Sequence, residues 1–180
     1  MAIILRSIFL CLLFLSSVAN ASSSYLVVDI DKVVNNSRAY KEFKARWDVI
    51  NNKYQKEIEN YEKKIDVLDK DLSSNLHKFD ESKLKESRNL IGKYENNVRQ
   101  IMQQRTVILD KAMVDAFDVL RKNIAAVVQE YANEHKVNLI LPSTQVIYHT
   151  SNLDVTQKVL ENLDQRLGKI NIEIGSNVNA

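Results

Sequence analysis

Three histidines, a pair of nearby aspartates and a single cysteine are the side chains here with the most obvious chemical potential. His77, His135 and His149 lie far apart, and none has a second histidine at the i, i+4 spacing that sets two metal ligands on one helix face. Asp29 and Asp31 could be paired carboxylates for acid–base work. Their place at the end of a short β-branched run makes strand termination or helix capping the better reading. No Gly-rich phosphate loop occurs, and no serine sits in a Gly-x-Ser-x-Gly turn. The residues therefore predict no catalytic group, no cofactor and no metal.

Cys11 falls in a processing signal. Arg6 gives a positive start, Ile8 to Leu15 is apolar apart from Cys11, and Ala19-Asn20-Ala21 forms a small-x-small cleavage pattern. The apolar run is shorter than the roughly 20 residues a membrane-spanning helix needs. Phe9 and Leu10 stand where a lipoprotein signal carries small residues, so lipidation is not expected. Removal of residues 1–21 as a signal peptide takes away the only cysteine, and with Arg6 lowers the net charge from +2 to +1. Near-neutrality argues against nucleic-acid binding or broad membrane adhesion.

With three Gly, one Pro and 27% charged residues, the remaining chain suits long helices better than a globule with many turns. Tyr25 to Ile30 reads as a strand. From about Asn36, Tyr40, Phe43, Trp47, Ile50 and Tyr54 recur at steps of 3 and 4; Ile58, Tyr61, Ile65, Leu68 and Leu72 continue the stripe. Two successive steps of 4 at Tyr54–Ile58 interrupt the heptad. Ser73-Ser74-Asn75 breaks the pattern, and Asp80 or Ser82 can cap a return helix reaching Ala132. That helix carries Ile91, Tyr94, Val98 and Ile101, then Arg105 in the next stripe position, then Ile108, Ala112, Ala116, Leu120 and Ile124. The two helices would be roughly 55 and 80 Å long and fold as an antiparallel hairpin. Val107 to Val128 holds more apolar surface than one partner helix covers, so further partners are required. Val137 to Leu141 and Gln145 to Tyr148 read as two strands about a tight antiparallel turn at Pro142-Ser143-Thr144. Asn152 or Asp154 caps a last helix ending at Gly168, and the tail from Lys169 is expected to fray.

The runs YLVVDIDKVV (25–34), NLILPSTQVIY (138–148) and DVTQKVL (154–160), placed around a long hairpin, resemble the Skp/OmpH family of periplasmic chaperones. The resemblance implies a mostly α protein with a small β component. Residues 22–35 and 133–168 would form a trimerisation body, residues 36–132 a coiled-coil arm, and residues 169–180 a flexible tail. Three chains would make a cage that holds unfolded outer-membrane β-barrel proteins in the periplasm without ATP. On this reading Val27, Ile30, Leu139, Leu141, Val146 and Tyr148 make body and subunit contacts. Trp47, Tyr54, Tyr61, Tyr94, Val98 and Ile108 are arm candidates for facing client, with burial between helices the preferred role of Trp47. Family members often have basic arm tips that attract lipopolysaccharide. Here Lys63 to Arg88 carries seven basic and six acidic residues, so any membrane or lipopolysaccharide contact should be weak. The competing reading is a coiled-coil envelope adaptor or spacer that binds a folded partner.

Overall fold

The computed structural model describes residues 24–175; the expected signal peptide lies outside them. The chain is mostly helical with a small β component. In order it forms β1 (Tyr25–Val28), α1 (Ile30–Asn36), α2 (Arg38–Asn75), α3 (Glu81–Glu134), β2 (Leu139–Pro142) and α4 (Thr156–Arg166).

The first strand stops earlier than its β-branched composition suggests. Asp29 accepts from the Lys32 amide at 2.9 Å and caps α1, so Ile30 opens a helix and does not extend the strand. A second break was not foreseen. Ser37, fully buried, ends α1 and caps α2 by accepting from Tyr40 N, while its hydroxyl donates to Val34 O. A short helix, α1, thus precedes the long helix expected from about Asn36. Helix α2 runs through Ser73 and Ser74 to Asn75. Of the two candidate caps for the return helix, Asp80 is used, accepting from Lys83 N at 2.8 Å.

At 1.5 Å per residue, α2 and α3 extend about 57 and about 81 Å. Their contacts descend in register. Tyr40 meets Phe117 with ring centroids 5.8 Å apart, Trp47 Nε1 donates to Leu109 O at 3.1 Å, Arg105 Nε donates to Asn51 Oδ1 at 2.9 Å, and Tyr61 meets Tyr94 at 5.6 Å. Helix α3 ends in a left-handed residue, Lys136 (φ 53°), which lets Val137 N reach back to Ala132 O at 2.9 Å.

The β component departs from the expected hairpin. β2 pairs with β1 in parallel, Tyr25 opposite Leu139 and Val28 opposite Pro142. Residues 143–145 form a single 3-10 turn, and residues 146–150 join no strand among the described residues. Tight antiparallel hairpins need positive φ at the turn, and Ser143-Thr144 lacks the Gly or Asn that adopts it readily. The other edge of β1 is closed by residues 154–156: Val155 N donates to Val27 O at 2.9 Å, and Asp29 N to the Thr156 hydroxyl at 2.8 Å.

One core unites these parts. Val28, Val33, Phe43, Ala116, Leu120, Val127, Val159, Leu163 and Ile170 are among its buried members. Ala39, Ala112 and Ala116 bring helix backbones close around Phe43. Asp164 of α4 accepts from Arg38 N at 2.8 Å, placing a carboxylate at the positive end of α2. Burial thins outward. Among the described residues, Ile58 is the last buried residue of α2 and Ile101 the first of α3.

The frayed-tail expectation fails over residues 169–175. Ile170 is fully buried, and the Arg46 guanidinium donates to the carbonyls of Ile170 and Ile172. The three isoleucines at alternate positions 170, 172 and 174 all pack onto the helices.

Candidate functional site

Among the described residues no group of three or more His, Cys, Asp and Glu is placed to hold a metal, and no helix is long and apolar enough to cross a membrane. His135 stacks on Tyr131 at 4.0 Å, its Nδ1 3.0 Å from the Tyr131 carbonyl oxygen, and His77 is exposed in the turn between α2 and α3. Asp29 has a capping role. Its carboxyl is held below the usual aspartate range, chiefly by the hydrogen bond from the Lys32 backbone. Asp154 is lowered chiefly by hydrogen bonding from the Thr156 side chain and less by the Thr156 amide, from which its carboxylate accepts at the start of α4.

What the chain presents is apolar surface in two places. The first lies around the sheet. A groove of about 790 Å³ is lined mainly by apolar groups, with Ile30, Val34, Val114, Phe117, Ile124 and Ile140 on its walls. Leu139, the first residue of β2, is 44% exposed, and beyond the 3-10 turn Ile147 and Tyr148 are 107% and 81% exposed. An isoleucine as open as in an extended peptide is costly surface in a single chain. Of the six residues expected in the body, Val27 is buried within the chain, Ile30, Leu141 and Val146 are half-buried, and Leu139 and Tyr148 are exposed. The structure thus brings Ile30 and the strand residues to one end of the molecule, with Ile30 contributed by a helix.

The second surface runs along the helix pair. Trp47 is engaged internally, bonded to Leu109 O, with the Lys44 ammonium 4.1 Å from its ring centre. Tyr61 and Tyr94 meet across the pair with their rings tilted by 45°, and the Lys64 ammonium lies 5.0 and 5.5 Å from the two rings. Tyr54, Val98 and Ile108 are half-buried. Tyr54 lies alongside Ile174 and Gly175, and a Cβ placed on Gly175 would sit 3.8 Å from Ile108 Cγ2. Two features of this surface are absent from the sequence reading. Arg46 was passed over because it lies beside the stripe, not in it. The tail isoleucines had a readable two-residue period but were too few to read as a strand.

A small strand-and-helix body carrying two very long paired helices, with exposed apolar groups at the body, is the architecture of a binding or assembly protein. The family model for outer membrane protein (OmpH-like) matches residues 24–163, and the chain belongs to that family. Its fold is similar to the crystal structure of a candidate outer membrane chaperone (OmpH-like) from Caulobacter crescentus CB15, with a TM-score of 0.73 and 17% sequence identity, covering 86% of this chain and 91% of that one. No curated protein sequence matches the chain.

Proposed function

We propose that the protein is a non-enzymatic, ATP-independent periplasmic holdase, exported by a cleaved signal peptide. It binds unfolded outer-membrane β-barrel proteins and keeps them from aggregating on their way to the outer membrane. The observation that carries this reading is the long helix pair whose core stops at Ile58 and Ile101, leaving a distal half lined by half-buried tyrosines and aliphatics. Such a surface makes many weak apolar and polar contacts without fixing one partner geometry. A client then keeps much of its conformational freedom, and binding costs less ordering entropy. Membership of the OmpH-like family and the likeness to a candidate outer membrane chaperone from Caulobacter support the same reading.

The working unit in this reading is a homotrimer. Three bodies bury Leu139, Ile147 and Tyr148 together with the groove beside Phe117, and each antiparallel helical hairpin projects as one arm of a cage. Tyr54, Tyr61, Tyr94, Val98 and Ile108 face the client, while Trp47 serves mainly to join the arm. The balanced charge at the tip leaves electrostatic capture of lipopolysaccharide weak.

The test is suppression of aggregation when an unfolded outer-membrane barrel is diluted from urea. Protection at one trimer per client is expected. A chain that gives no protection while remaining folded overturns the holdase reading, and stoichiometric capture of one folded partner instead supports the adaptor alternative.

A further inference from the structure

Residues 170–175 show what kind of segment the arm can hold. There Ile170, Ile172 and Ile174 pack against the helices with Asn171 and Glu173 between them, and the chain bends at residues 174 and 175. The Arg46 guanidinium donates to two of its carbonyls, to Ile172 O at 3.3 Å and more closely to Ile170 O. These bonds read backbone, so they are indifferent to side-chain identity. The apolar contacts read only alternation, since residues two apart in an extended chain share a face.

We propose that the groove formed by Arg46, Val49, Ile50, Tyr54 and Ile108 is a binding site for extended client segments with alternating apolar residues, and that residues 172–175 occupy it as a displaceable strap. Four observations separate this from ordinary packing of a chain end. Ile170 is fully buried and belongs to the core, whereas Ile172 and Ile174 are only half-buried. Open clefts of about 280 and about 150 Å³ adjoin Ile172 and Ile174, so neither side chain is enclosed on all sides. The strap lies beyond the family-matched residues 24–163. It also covers Tyr54 and Ile108, two of the side chains assigned above to the client. A barrel strand has the same pattern, one apolar residue in two, and presents the same row of carbonyls to Arg46. The inference rests on the holdase reading for the identity of the natural ligand. The geometry of the groove stands apart from it.

The probe is a fluorescent peptide of residues 169–175, Lys-Ile-Asn-Ile-Glu-Ile-Gly, with a control of the same composition whose isoleucines are adjacent. Three proteins are compared by fluorescence anisotropy: the full chain, the full chain with Ile172→Ser and Ile174→Ser, and the chain ending at Asn171. Both released forms keep Ile170. Each should bind the alternating peptide about tenfold more tightly than the full chain, because a strap that closes the groove nine-tenths of the time lowers apparent affinity by that factor. Binding should fall several-fold when Arg46→Ala is added and should be weak for the control peptide. Equal binding by all three proteins, or none by folded released forms, overturns the proposal. Failure of both released forms to fold overturns it too, because residues 172–175 would then be core. Aggregation suppression by the full chain, measured in parallel, tests the holdase reading separately.

Discussion

Trp47 ties the two long helices together through one indole hydrogen bond to Leu109 O and through its ring against the core. Trp47→Phe keeps most of the apolar contact and should cost about 1 kcal/mol. Trp47→Ala should cost about 3 kcal/mol. Both should appear as lowered urea midpoints with an unchanged slope. Stripe spacing was enough to read Trp47 as buried, but not its bond, because the register between helices depends on where the turn falls. Asp29 and Asp154 make a second prediction. Both carboxyls titrate below the ordinary aspartate value of 3.8 in the folded chain, so the folded state binds fewer protons than the unfolded one between the two values. Their contribution is complete above that ordinary value and is lost as pH falls through the lower, folded one. Thermal melts should therefore drop below about pH 4, and the double variant Asp29→Asn, Asp154→Asn should show a flatter acid limb. A steeper limb in that variant would contradict the assignment. The capping role of Asp29 was legible from its place after a β-branched run. The part Thr156 plays was not, since 127 residues separate it from Asp29.

The elements divide by how local their causes are. The helices α2 and α3 follow from heptad spacing and the absence of Pro and Gly, and the end of α3 from a cap whose left-handed residue is, unusually, Lys136. Lysine pays roughly 1 kcal/mol for that conformation, which glycine would not. Lys136→Gly is thus expected to stabilise the chain by about 0.5–1 kcal/mol, visible as a higher melting temperature. The strand pairing was not legible. Apolar runs on either side of Pro142 suit an antiparallel hairpin as well as a parallel ladder, and the choice depends on β1 returning beside β2 after the whole helix pair. The break at Ser37 had a signal in Asn35-Asn36-Ser37, three residues that favour turns and caps over helix interiors. Along α2 and α3 the outward thinning of burial sets a gradient of local stability. Amides between 61 and 98 should exchange with solvent orders of magnitude faster than those between 109 and 127. Uniform protection along the pair would mean that the distal part is held by contacts a single chain does not contain.

At the scale of the molecule, the surface left open decides the account. Ile147, Tyr148 and Leu139 stand exposed, a groove of about 790 Å³ is lined in part by Ile140 and Pro142 of β2, and the distal helix pair has no core of its own. In the proposed holdase, copies of the same chain cover the exposed residues and the groove, and a client that needs no fixed site covers the distal helix pair. Tyr148→Asp should accordingly weaken self-association while leaving helix content unchanged, as read by sedimentation and circular dichroism. The periodicity of the sequence implied long helices in need of partners. It could not distinguish a rod from a cage, because that depends on how bodies join, and the joining surfaces are short runs with no period to read. The central claim is tested most directly by the native mass of the processed protein with and without one unfolded outer-membrane barrel. The account predicts a trimer that gains the mass of a single client. A dimer or monomer whose mass is unchanged by the client would contradict it.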